Sequence, residues 1–465
     1  VHRALSLAIL AGCGGANAVA IDATQVSDVV DVDAAIDADL AAPTDTPAVP
    51  CGDAIASVYT VAAQVGAPLG TILACAPDEK LDLATAASRS GEVATSPVVE
   101  YRIAYQTRDV SGAPAVSTAR VYLPAIPRSR PVPLVVSAHG SVGLADACVP
   151  SADADNALAL PYAARGFAVI APDLAGLGNA GVQDYLDNRV QGWQLLDGAR
   201  ALRHLLAPGI TAPELVLTGY SQGGGASLSA HSLIAADGPG VGRLVATVVY
   251  APQWPIRLSS FKYIDLIRDP AQLTIFTGLS FSSVAVLRQF AFFENHVAAG
   301  HGKDSVPAQF REGLANAIDS QCLIPFGGFV QTQMLHTGDL IDDTLRRGLL
   351  ACVDAQGPGA GCTGDAAAYY QFLIDNQLSA DPHGGPVLIV QGLLDQIMPP
   401  SGEAACVRDK LVSSGVDVDQ CVFPFATHAT ISDNHAHGVA WAESVLAGGP
   451  RAECDQSSVL PACTP

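Results

Sequence analysis

Residues 214–226 read Glu-Leu-Val-Leu-Thr-Gly-Tyr-Ser-Gln-Gly-Gly-Gly-Ala. Four residues of strand character, Leu215 to Thr218, run into Gly219-Tyr220-Ser221-Gln222-Gly223, and small residues suited to a helix start follow. Strand, G-x-S-x-G and helix in that order is the sequence form of a nucleophile elbow. A serine on so sharp a turn has strained backbone, and a Cβ two residues to either side would strike the neighbouring strand or helix. Hence Gly219 and Gly223. The strain lifts the serine hydroxyl clear of the sheet and turns the next N–H, that of Gln222, toward a reacting carbonyl. A chain with 44 glycines meets the bare pentapeptide by chance easily enough, so the flanking pattern and the downstream partners must carry the reading.

Around this stretch the chain alternates strand and helix signals. Segments 101–107 and 116–123 read as an antiparallel opening pair. Segments 133–138 and 167–172 are short apolar runs of the kind buried on both faces of a parallel sheet. Residues 193–206 have helical spacing, and 244–250 is a further buried strand. From 253 to 385 the text turns helical, with Phe276, Phe281, Phe290, Phe292, Phe293, Phe310, Phe326 and Phe329 crowded into it. That stretch is too long and too apolar for a loop and reads as an inserted cap, its phenylalanines mostly cap core. Strands resume at 387–390 and 416–423, and 436–446 reads as a closing helix. The expected fold is a mostly parallel α/β sheet flanked by helices, with a helical cap inserted before the strand at 387.

A serine hydroxyl needs a base to accept its proton, and the base needs a carboxylate to hold its tautomer. The run Val387-Leu388-Ile389-Val390-Gln391-Gly392 leads into Leu393-Leu394-Asp395, and Cys421-Val422-Phe423-Pro424-Phe425 into Ala426-Thr427-His428. Asp395 and His428 therefore emerge at strand C-termini, on the edge where Ser221 emerges. His435 and His437 read as the first turn of the last helix, and Asp417 and Asp419 lie at the wrong end of the final strand. For the oxyanion, Gln222 N–H is one donor. The second comes from the His139-Gly140-Ser141 turn or from Asp173, each beyond a strand end.

Composition bounds the partners. The formal net charge is −21 with 24 Lys and Arg, too few cations for nucleic acid, and anionic headgroups would be repelled. Any hold on a membrane must be apolar or covalent. Residues 4–10 are apolar, preceded by Arg3, and end in Leu10-Ala11-Gly12-Cys13, which resembles a bacterial lipoprotein signal with Cys13 as the acylated thiol; an ordinary signal peptide cut near Ala20 is the alternative. Either implies export. Residues 14–50 carry seven aspartates, no basic residue and three late prolines, and read as a disordered tether. Apart from Cys13, ten cysteines remain. The even count suits disulfides in an oxidising compartment, and the absence of C-x-x-C spacing argues against zinc. Near-neighbour pairing joins Cys51 to Cys75, Cys352 to Cys362, Cys406 to Cys421 and Cys454 to Cys463, leaving Cys148 with Cys322.

The motifs 139–151, 172–178, 193–202 and 219–224, the D-x-x-M-P-P at Asp395 and the late His428 resemble the secretory lipase family, the Candida antarctica lipase A-like α/β-hydrolases with bacterial members. The resemblance runs from about residue 70 to 448. It implies an α/β-hydrolase core with a cap and cofactor-free lipase or carboxylesterase activity. It also implies Ser221, Asp395 and His428 as the triad, and Asp173 as an aid to an oxyanion hole whose main donor is Gln222. The expected organisation is a signal at 1–13, tether at 14–50, core at 51–252, cap at 253–385, core again at 386–448 and a disulfide-closed tail at 449–465. The expected function is an exported serine hydrolase of small esters or lipids, with no metal and no nucleic-acid partner. A serine peptidase, an acyltransferase and a non-catalytic surface lipoprotein are the alternatives.

Overall fold

Val132–Ala138 and Val387–Gly392 are buried at every residue, as apolar runs covered on both faces must be. They are two of nine strands: β1 (Ile72–Leu81), β2 (Val98–Arg108), β3 (Pro114–Pro124), β4 (Val132–Ala138), β5 (Ala168–Pro172), β6 (Thr211–Tyr220), β7 (Arg243–Tyr250), β8 (Val387–Gly392) and β9 (Val418–Phe423). The structure is a computed structural model that describes residues 43–152, 157–254, 264–274, 279–357, 359–454 and 458–464. The signal with Cys13, the tether up to residue 42, and Phe276 lie outside the described residues, as does the side chain of Phe281.

The strands form one sheet in the order β1-β2-β3-β5-β4-β6-β7-β8-β9. The pairs β1–β2, β2–β3 and β3–β5 are antiparallel. From β5 through β4, β6, β7 and β8 to β9 every pair is parallel, so those six strands end on a common edge. This is the α/β-hydrolase fold.

Side chains alternate between two faces, as the period of a strand requires. Leu134, Val136, Leu215 and Leu217 pack under helices Asn188–Leu205 and Gln222–Asp237. Further along that face Val387, Ile389 and Val422 pack under helix Ala405–Ser413. The opposite face presents Val135, Val216, Leu388, Val390, Cys421 and Phe423 to helices Ala159–Ala164 and His435–Leu446.

Between β7 and β8 the described chain is helical, with Leu279–Phe292, Arg311–Ser320, Leu323–Gln333, Asp343–Asp354 and Gly364–Asp375. This insertion has its own cores. Phe290 and Phe326 are buried in one, and Phe292 and Phe293 in another with Tyr369 and Tyr370. Among the described residues no helix is long and apolar enough to cross a membrane.

Three features differ from the sequence reading. β1 was not foreseen: it is an edge strand, so Pro77 and the charged run Asp78-Glu79-Lys80 cost it little. Residues 43–50, read as the end of the tether, are tied to the core. There Thr44 Oγ1 donates to the Pro124 carbonyl at 2.7 Å, Ala48 N–H to that of Leu205 at 2.8 Å, and Tyr101 hydroxyl to that of Asp45 at 2.9 Å. The disulfides are Cys51–Cys75, Cys148–Cys322, Cys352–Cys362, Cys406–Cys463 and Cys421–Cys454. Three of the expected pairs form, whereas Cys406 with Cys421 and Cys454 with Cys463 exchange partners. The sheet explains this. Cys406 belongs to the helix over one face, while Cys421, next to Val422 on β9, points out of the other.

Candidate active site

The strand-to-helix turn after β6 is as tight as its glycines require. Ser221 has φ +53° and ψ −114°, outside the region open to ordinary residues. The turn is fixed from below: Ser221 N–H donates to the Tyr250 carbonyl and Gln253 N–H to that of Ser221, each at 2.9 Å. A Cβ on Gly219 would strike Gly223 O, and one on Gly223 would strike Ala138 O. The helix that starts at Gln222 thus lies directly against the end of β4.

Asp395 and His428 follow β8 and β9 and meet Ser221 at the common edge. His428 Nδ1–H donates to Asp395 Oδ2 at 2.8 Å, and Ser221 Oγ lies 3.0 Å from His428 Nε2. All three residues are buried. Asp395 Oδ1 accepts from the backbone N–H groups of Ile397 and Met398 at 2.9 and 2.7 Å, and Gln391 Nε2 donates to Oδ2 at 3.1 Å. The two backbone bonds form an Asx turn. The Asp-x-x-Met-Pro text contained its signal; the Gln391 bond left no mark in the sequence.

The His139-Gly140-Ser141 turn leaves β4, the strand beside β6. His139 Nδ1 is 2.6 Å from the Gly140 carbonyl oxygen and Nε2 is 3.1 Å from that of Asp173. Ser141 Oγ and Tyr185 hydroxyl share a hydrogen bond of 2.6 Å. Gln222 Nε2 donates to Gln183 Oε1, and Gln183 Nε2 to the Asp173 carbonyl, each at 3.3 Å.

Asp173 follows β5, one strand further from Ser221. Its carboxylate is occupied elsewhere: Thr118 Oγ1 donates to Oδ2 at 2.6 Å and Ser151 N–H to Oδ1 at 2.7 Å. Burial pushes its carboxyl up, partly offset by those two bonds. The side chain therefore ties β3 and the 150–152 turn to the end of β5.

His435 and His437 open the last helix, as their sequence position implied. His435 Nε2 lies 3.4 Å from Glu92 Oε1. Among the described residues, Cys421, His437 and Cys454 are the one set of candidate metal ligands that lie close together. The two cysteines are joined in a disulfide, so neither offers a thiolate.

Over residues 145–288 the chain matches the secretory lipase family. That span holds Asp173 and the whole Ser221 elbow. Candida antarctica lipase A in its closed state superposes with a TM-score of 0.59 at 16% identity, covering 85% of this chain and 86% of its own. The rice cell wall degrading esterase LipA of Xanthomonas oryzae gives 0.58 at 19% identity, covering 82% and 97%. A Legionella pneumophila protein gives 0.62 at 15%, covering 83% and 99%. At these identities the likeness is one of fold. No curated protein sequence matches.

Proposed function

We propose that the chain is an exported serine hydrolase of carboxylic esters, a lipase or carboxylesterase, working through an acyl-enzyme on Ser221. The observation that carries this reading is the hydrogen-bond series from Asp395 through His428 to Ser221, on a serine held at φ +53°.

His428 Nε2 takes the Ser221 proton as Oγ attacks the ester carbonyl, and Asp395 stabilises the imidazolium. The oxyanion is received by Gln222 N–H, at the first turn of a 16-residue helix whose dipole favours negative charge there. In this fold the second donor comes from the loop after the strand beside the nucleophile strand. That is the Gly140–Ser141 backbone here, which favours it over the Asp173 side chain. His428 then protonates the leaving alcohol, and water repeats the cycle on the acyl-enzyme. No step calls for a cofactor or metal. Five disulfides fit an oxidising compartment, and Cys13 is the proposed lipid attachment point that would hold the enzyme at a bacterial envelope.

A fluorophosphonate probe together with a p-nitrophenyl ester ladder from C2 to C16 tests the reading. The wild type should be labelled and hydrolyse esters, and Ser221→Ala should lose both while remaining folded. Failure of the folded wild type to label would overturn the reading in favour of a non-catalytic surface protein.

A further inference from the structure

Tyr220 precedes the nucleophile, and the mechanism above gives its side chain no part. Its ring lies against Gly140, where a Cβ would come within 2.6 Å of Cδ1. It is also 5.0 Å from the His428 imidazole, tilted by 39°. Its hydroxyl donates to the main-chain carbonyl of His428 at 2.9 Å. Burial pushes the phenol well up, with Asp395 and Asp433 adding to the effect, so the hydroxyl keeps its proton wherever His428 works as a base.

We infer that Tyr220 is a positioning residue, its hydroxyl setting the backbone of His428 and its ring seating the 139–141 turn. The inference rests on the proposed function. His428 stands at the start of a 3-10 segment, 428–434, beyond the last strand, and its ring is held at both nitrogens. A ring held only at its ends still pivots if its backbone drifts. The Tyr220 bond runs from the residue covalently joined to Ser221 to the backbone of the base, so nucleophile and base move together. Because the same ring packs on Gly140, the oxyanion turn shares that reference.

Tyr220→Phe keeps the ring and deletes only the donor. Since misplacement by about 1 Å can cost on the order of 100-fold in rate, a partial loosening should lower kcat by about 10-fold, per active site titrated with fluorophosphonate, with KM within about twofold. The far-downfield proton resonance of the His428–Asp395 bond should broaden through faster solvent exchange. 4-Aminophenylalanine at position 220 restores a donor on the same ring and should recover both readouts, which also covers a Phe variant that fails to fold. Wild-type kcat and an unchanged resonance in folded Tyr220→Phe would overturn the inference, as would failure of the aminophenylalanine protein to recover either. If wild type proves inactive toward esters, the proposed function fails, and the resonance alone then decides whether Tyr220 sets His428.

Discussion

Asp395 offers His428 one carboxylate oxygen and surrenders the other to two backbone N–H groups, those of Ile397 and Met398. The carboxylate cannot rotate without breaking the Asx turn. In Asp395→Asn the amide oxygen must serve those two donors, which turns the NH2 toward His428 Nδ1. That nitrogen then has to accept, the ring proton moves to Nε2, and Nε2 can no longer take the Ser221 proton. The substitution should lower kcat by about 10,000-fold, the loss expected of a wrong tautomer, and slow fluorophosphonate labelling in parallel. Measured on p-nitrophenyl butyrate, a loss under tenfold would refute Asp395 as the acid.

The proposed oxyanion role of the 139–141 turn can be separated from the Asp173 brace by two substitutions. Gly140→Ala puts a Cβ 2.6 Å from the Tyr220 ring, so the turn must shift. Losing one oxyanion donor costs about 100- to 1000-fold in kcat, and that is the expected outcome. Asp173→Asn keeps an acceptor for Ser151 N–H and turns its NH2 toward the Thr118 hydroxyl, which must then accept, and should leave kcat within about tenfold while lowering the melting temperature. A larger kcat loss in Asp173→Asn than in Gly140→Ala would return Asp173 to the oxyanion hole.

What the sequence made legible follows from what each residue needs. Ser221 and Asp395 were readable because each stands beyond an apolar run buried on both faces, and His428 because it follows the buried end of β9, Cys421-Val422-Phe423. The common edge followed from the same runs; the order of the strands in the sheet, with β4 between β5 and β6, did not. Residues 43–50 were not readable, because two main-chain groups and Thr44 anchor them and prolines dominate their composition. Tyr220 gave no signal either: its hydroxyl meets a backbone carbonyl 208 positions away, and backbone acceptors have no letter. Phe292, one of the phenylalanines read as cap core, packs in the cap interior against Phe293, Tyr369 and Phe372.

The C-terminal disulfides give a stability prediction with no catalytic component. Cys406–Cys463 closes 57 residues, worth roughly 4 kcal/mol by chain entropy. It fastens a tail whose Leu460 is buried beside Val422 and Leu411. Replacing Cys406 and Cys463 together by Ser should lower the denaturant midpoint while leaving kcat within about twofold, since neither side chain reaches the triad. Peptide mapping of the unreduced protein should recover Cys406 with Cys463 and Cys421 with Cys454. A Cys406–Cys421 peptide would refute the face assignment of β9.

Glu100 supplies a pH dependence whose sign is opposite to that of a paired surface carboxylate. It sits on β2 with its side chain fully buried, 3.5 Å from Arg120 and 3.7 Å from Arg89. Neither carboxylate oxygen has a hydrogen-bond partner. Burial raises its pKa from 4.5 to about 7, with Arg120 and Arg89 only partly offsetting the rise. Asp78 holds Arg120 at 2.6 Å and Arg102 at 2.9 Å, which is why Arg120 does not compensate in full. Between pH 4.5 and about 7 the native state keeps a proton that the unfolded chain has released. Stability from this group is therefore lost as pH rises through that window and is flat above it, a change on the order of 3 kcal/mol. Glu100→Gln cannot ionise, so its stability relative to wild type should climb between pH 5 and pH 8. Urea melts at half-unit intervals read this directly. Parallel stability curves for the two proteins would show that Glu100 titrates near its ordinary value and that water or Arg120 reaches it in solution.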